Sequence, residues 1–193
     1  MLTRDDLSDI FGEENIIALD FDDAVGLGCS ELDALLLSHV GLPSDAGVAF
    51  TTELDGEPGL FRVQMLDSPD GSTSAALFLG APGQDQTMRY FLDVKNSVVV
   101  VCSLDDAGPA IEVVNGTFSD FVDFVHRIGA FCHTDGRSAD EQALAAEELS
   151  RLLQERDTFA FRKPDTWWSR LLSTLTEQSG AERARAEQEQ QLA

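Results

Sequence analysis

Apolar and polar positions along the first forty residues alternate with helical spacing. Thr3 stands three residues before Asp6, and Leu7, Ile10 and Phe11 form one stripe that ends at Gly12. A capping residue followed by apolar positions at i, i+3 and i+4 predicts a helix over residues 4–11. The short run IIALDF at 16–21 has the length of a strand. Ser30 then caps a second predicted helix reaching about His39, with Leu32, Leu35, Leu36 and Val40 directed inward. Gly41 and Pro43 stop it.

From residue 48 the period changes from helical to strand-like. VAFTT, GLFRVQML, AALFLG, RYFLDV and SVVVVCS are short β-branched or aromatic runs. Turn clusters separate them at Asp55-Gly56, Pro69-Asp70-Gly71, Ala81-Pro82-Gly83 and Lys95-Asn96. Such short connections predict hairpins, and so an antiparallel meander rather than parallel crossovers. At least four strands of one sheet are expected between residues 48 and 103. The four valines 98–101 mark its most buried strand, covered on both faces.

The helical period returns at Thr117, which caps a helix carrying Phe118, Phe121, Val122, Val125, Ile128 and Cys132 toward the sheet, with Phe124 toward the flank. A further helix is expected over 139–157, with Leu144, Leu149, Leu152 and Leu153 apolar, and a last one begins near Pro164 and Trp167. The organisation read from this pattern is an α+β core over 1–133, a helical extension over 134–180 packed on it, and a polar tail over 181–193. The tail is polar all round, the pattern of a frayed or partner-dependent helix.

Charge changes the picture more than composition does. The 193 residues carry a net charge of −22, and 43% of them are hydrophobic, enough for a buried core. Residues 1–60 hold 14 acids against the single base Arg4. So acidic a chain repels phosphate backbones and anionic lipid, which excludes nucleic acid and membrane surfaces as direct partners and favours a basic protein. The start MLTRDDLSDIF has no apolar signal core, and three scattered cysteines (Cys29, Cys102 and Cys132) read as free thiols. A soluble, cytoplasmic protein is expected.

Catalytic signatures are missing where their chemistry needs them. There is no phosphate-cradling G-x-x-x-x-G-K-[ST] or G-x-G-x-x-G, and Gly26-Leu27-Gly28 reads as a turn. His126 and Cys132 on one helix lie about 240° apart, so they cannot share a metal ion. No metal or other cofactor is expected. The doublets Asp5-Asp6, Glu13-Glu14, Asp22-Asp23 and Asp105-Asp106 point apart rather than converge, as paired carboxylates in a glycosidase or nuclease must. Trp167 and Trp168 are adjacent on a helix and so point about 100° apart. One is expected to anchor the helix and the other to lie at a rim or interface.

The central motifs carry a resemblance. Ala76-Leu77-Phe78-Leu79-Gly80, then Tyr90-Phe91-Leu92-Asp93, the valine strand, and Val114-Asn115-Gly116-Thr117-Phe118 with Phe121-Val122 resemble the SUKH superfamily. The acidic N-terminal helix, the Val40-Gly41-Leu42-Pro43 helix end and the Trp-containing C-terminal region are most similar to its fourth subgroup of bacterial immunity proteins. Lys95-Asn96-Ser97-Val98 stands where many relatives have Gly-x-Val, and Asn still fits a turn there. The resemblance implies a single α+β domain with a twisted, mainly antiparallel sheet and packed helices. It also implies a non-enzymatic task, the neutralisation of a nuclease or nucleic-acid deaminase toxin.

The function expected is therefore an immunity protein, monomeric until it meets its toxin, that occludes a basic active-site cleft. An acidic secretion chaperone acting as a homodimer is the alternative, and a hydrolase built on two of the carboxylates is a third reading. The expected binding face consists of loop acids: Asp20, Asp22 and Asp23 after the first short strand, Asp67 and Asp70 around the Pro-Asp-Gly turn, and Asp105 and Asp106 after the valine strand. Some of these are expected to gather at one end of the sheet. Trp167 and Trp168 are the next candidates.

Overall fold

The computed structural model describes residues 2–54, 59–67, 71, 73–85, 87–103 and 111–192, with side chains through 181 except at 178. Its first helix, α1 (Arg4–Phe11), forms where the cap predicts it. The Thr3 hydroxyl accepts from the Asp6 amide, and the Asp6 carboxylate accepts from the Thr3 amide at 2.8 Å. Leu7 and Phe11 are buried from this helix. The following run is less strand-like than expected: only β1 (Ile16–Ile17) pairs, antiparallel to β2 (Leu42–Pro43). Asp20 intervenes. Its carboxylate accepts from the amides of Asp22 and Asp23 and starts a short helix, α2 (Phe21–Gly26).

Ser30 caps α3 (Glu31–Leu35), as its sequence predicts, and a π-helical turn over Leu36–Val40 continues it. The Gly41 amide closes that turn on the Leu36 carbonyl at 2.8 Å. Gly41 is required here: its φ is 82°, and a Cβ would lie 2.7 Å from the Ile17 carbonyl oxygen. The inward face differs from the one expected. Asp33, Ala34, Leu36, Leu37 and Val40 are buried, whereas Leu32 and Leu35 face solvent. Residues 33 and 35 lie about 200° apart on a helix, so burying one exposes the other.

A five-stranded antiparallel sheet follows in the order β3-β4-β5-β6-β7: β3 (Val63–Asp67), β4 (Thr73–Gly80), β5 (Met88–Asp93), β6 (Val98–Ser103) and β7 (Ile111–Asn115). Four of these strands lie within the span predicted. The run 48–52 makes only isolated bridges at Thr51, and β7 is an additional edge strand that the sequence pattern did not single out. Val99 and Val101 face the main core, while Val100 faces a second cluster with Ala76, Phe78, Phe91 and Cys102. The valine strand is thus covered on both faces, although Val98 at its start is half-buried.

The main core lies between the sheet and α4 (Phe118–His133), capped by Thr117. Phe124, expected at the flank, is fully buried, because α5 (Ala139–Arg156) and the chain beyond it cover that side with Leu153, Phe161 and Trp168. α5 turns Ala143, Ala146, Leu149 and Leu153 inward and leaves Leu144 exposed. On the opposite side α1 packs against Gly129, where a Cβ would sit 2.5 Å from the Phe11 ring. α6 (Trp167–Leu192) continues helically through the polar tail. No helix among the described residues is long and apolar enough to cross a membrane.

Candidate functional site

Both tryptophans are interior, which corrects the expectation that one lies at a rim. Trp168 Nε1 donates to Asn115 Oδ1 at 2.9 Å, and its indole packs among Tyr90, Phe121 and Phe124. Trp167 Nε1 donates to the Tyr90 hydroxyl at 2.7 Å, which in turn donates to the Ala49 carbonyl at 3.1 Å. The two rings still diverge as adjacent helical residues must. They are both covered because the first turn of α6 is wedged into a corner between the sheet and α4.

A buried carboxylate completes that corner. Asp157 Oδ2 accepts from Asn115 Nδ2 at 3.0 Å and from the Gly116 amide at 3.4 Å, and Oδ1 accepts from the amides of Phe159 and Ala160. These groups tie the end of β7 to the C-terminal helices. Every one of them is occupied in holding the fold, and none is presented to a ligand.

The acids expected to bind a partner divide into three groups. Asp20, Asp22 and Asp23 are exposed but are not loop residues: Asp20 caps α2, and the other two occupy its first turn, where the helix dipole favours negative charge. Asp67 is exposed at the end of β3 and accepts from the Thr73 hydroxyl at 2.7 Å. Asp70, Asp105 and Asp106 lie outside the described residues.

Topology decides which of the described groups can share a face. The register pairs Asp67 with Thr73 and Asp93 with Val98, so β3–β4 and β5–β6 turn at one end of the sheet. Ser103 and Ile111, the strand ends flanking 104–110, lie at the opposite end with Met88. Val94 Cγ2 lies 3.4 Å from where a Gly28 side chain would begin, so the α2–α3 connection abuts the first of these ends. The α2–α3 connection and Asp67 thus share one end of the sheet, and the strand ends on either side of Asp105 and Asp106 point away from it.

At that same place the sequence reading missed an apolar component. Val25, Leu32 and Leu35 are exposed on the two short helices. The crowded run LDALLL carries the only available signal, since four leucines in six residues cannot all enter one helix face.

The other polar cluster is largely satisfied by ion pairs, with the buried Nδ1 of His126 left without a hydrogen-bond partner. A cleft of about 400 Å³ is lined by Asp6, Asp123, His126, Arg127 and Arg156. Arg127 pairs with Asp123 at 2.7 Å and Arg156 with Asp120 at 2.9 Å. Hydrogen bonds from Thr3 hold the Asp6 carboxyl below its ordinary value, the opposite of what a general acid needs. Burial pushes the thiols of Cys29 and Cys102 up to about 11, and raises that of Cys132, so all three remain protonated and weakly nucleophilic. Among the described residues no group of His, Cys, Asp and Glu is placed to hold a metal ion.

Comparison with known proteins supplies the family. Neither curated proteins nor solved structures give a match to this chain. The family model described as SUKH-4 immunity protein matches residues 2–174, from the edge of the first helix cap into the first third of α6. The match thus includes the sheet, α4 and the tryptophan corner together, and the chain belongs to the SUKH-4 immunity protein family.

Proposed function

We propose that this protein binds and neutralises a cognate bacterial toxin of the nuclease or nucleic-acid deaminase type by occluding its basic active-site cleft. Family membership points to toxin immunity, a binding task that requires no catalytic group in this chain. The observation that carries the finer reading is charge: −22 overall, with 14 acids against one base in the first 60 residues. A toxin that handles nucleic acid lines its cleft with Lys and Arg, and a polyanionic protein competes for that cleft through the same long-range attraction. Such complementarity raises the association rate and disfavours wrong partners, both needed by a protective inhibitor. The protein acts in the cytoplasm and is monomeric before it meets the toxin.

Co-expression with the toxin domain encoded beside its gene tests this reading. A stoichiometric complex, toxin activity abolished at equimolar protein, and association that slows steeply with salt are expected. Failure of the purified pair to associate at low salt overturns the reading. A stable homodimer that binds an unfolded segment of its client instead identifies the secretion-chaperone alternative.

A further inference from the structure

The geometry points to the α2–α3 helix pair as the surface that grips the partner, through an apolar strip of Val25, Leu32 and Leu35 framed by carboxylates. The complementary patch on the partner is a set of apolar side chains set among Lys and Arg. This rests on the toxin-binding reading above and names the face that serves it.

The first ground is an inverted helix. On α3 one of the two acids is inside and both leucines are outside: Asp33 is 3% exposed, whereas Leu32 is 55% and Leu35 46% exposed. Asp33 is held within the fold by the Ser30 hydroxyl, which donates to its Oδ2 at 2.7 Å. An amphipathic surface helix has the opposite arrangement, and an exposed apolar cluster is the informative departure. Val25, 42% exposed on α2, adds a third apolar side chain within eleven residues. Elsewhere among the described residues the exposed large apolar side chains are Leu144 alone on α5, Val63 and Met65 on edge strand β3, and Phe159, whose ring lies under the Arg162 guanidinium at 4.1 Å.

The second ground is the frame. Asp20 at the cap of α2, Asp22 and Asp23 in its first turn, and Glu31 in the first turn of α3 are all exposed. The sequence has no Lys or Arg between Arg4 and Arg62, and Arg4 is already paired with Glu13 at 2.7 Å. The abutting β5–β6 turn contributes one base, Lys95. The rim is therefore anionic around an apolar centre, the layout of a protein–protein contact whose centre supplies affinity and whose rim steers encounter. A second copy of this chain is a poor occupant, because a two-fold contact sets these four acids against their own like charges. Anionic lipid is disfavoured by the same sign.

Two multiple variants test the surface with the purified toxin domain encoded beside the gene as the probe. Val25→Ser/Leu32→Ser/Leu35→Ser removes the apolar centre. Asp22→Asn/Asp23→Asn/Glu31→Gln neutralises the rim and leaves the Asp20 cap intact. The first is expected to weaken binding at least thirtyfold, mainly through faster dissociation. The second is expected to slow association at least fivefold at low salt, with the difference vanishing at high salt. Circular dichroism and urea midpoints equal to the parent's establish that both variants are folded. If the triple serine variant does not fold, Leu35→Ser alone replaces it and is expected to weaken binding at least fivefold. Parent-like binding by folded variants, within threefold, overturns this surface while the immunity reading stands. No binding by the parent protein overturns both. Self-association of the parent that the serine substitutions abolish makes a second copy the occupant and overturns the assignment of a basic partner.

Discussion

Replacing Asp157 tests whether the buried polar corner, rather than apolar contact alone, fastens the C-terminal helices to the sheet. Its carboxylate accepts four N–H groups. Asn115 and Ala160 are buried at 0% and 1% exposure, while Gly116 and Phe159 are exposed residues whose amides can rebind water. In Asp157→Ala two buried donors therefore lose their acceptor. At about 1–3 kcal/mol for each unpaired buried group, the expected loss is about 4 kcal/mol, a large part of a domain's usual stability of about 5–15 kcal/mol. Asp157→Asn keeps an oxygen for the Phe159 and Ala160 amides but turns an NH2 toward Asn115 Nδ2. Asn115 cannot flip to accept it without losing Trp168, which donates to its Oδ1. That conflict is expected to cost about 2 kcal/mol, between the parent and the alanine variant. Equilibrium urea unfolding, followed by tryptophan fluorescence and far-UV circular dichroism, measures both differences provided the denaturant slope is unchanged. An alanine variant within about 0.5 kcal/mol of the parent, below the cost of even one unpaired buried donor, refutes the reasoning. So does an asparagine variant less stable than the alanine one.

Three further outcomes are expected. Gly129→Ala places a methyl against the Phe11 ring and Ala46, and the resulting displacement of α1 is expected to lower stability by about 1–3 kcal/mol in the same urea assay. Burial holds the pKa of His126 below its ordinary value, outweighing the Asp6 backbone oxygen and the nearby Asp123 and Asp6 carboxylates that favour protonation; Arg127 acts with burial. The unfolded chain therefore takes up the proton first, and stability present above about pH 6.5 is lost as pH falls toward the folded pKa; His126→Gln is expected to flatten the parent's decline in urea midpoint between pH 7 and 5.5, and an unchanged slope counts against it. Truncation after Gly180 removes a segment that brings almost no apolar surface, and calorimetry is expected to show a melting temperature within a few degrees of the full chain's.

What the sequence determined by itself is local chemistry. Thr3, Ser30 and Thr117 each cap a helix where a short-range hydrogen bond to the amide three residues on makes the cap legible from spacing alone. The alternating runs at 63–103 became antiparallel strands because short turns allow no other connection. The acidity of the N-terminal third, on which the proposal of a basic partner rests, needs no coordinates. Asp20 was legible as an acid after a short strand, but not as a cap, because the helix it starts is only six residues long and has little periodicity to read.

The tertiary structure decided which side of each element is covered. Periodicity shows that 32–40 carries an apolar stripe, yet leucines at 32, 35, 36 and 37 surround most of the helix, and only the packing of its neighbours selects the buried ones. Trp167 and Trp168 diverge by about 100° whatever surrounds them; the corner between sheet and α4 is what covers both. Asn115, Asp157 and Trp168 meet across separations of 42 and 53 residues, a convergence no local pattern encodes. The candidate binding face has the same origin: Leu32 and Leu35 are left outside because packing buries Asp33, Ala34, Leu36 and Leu37 instead.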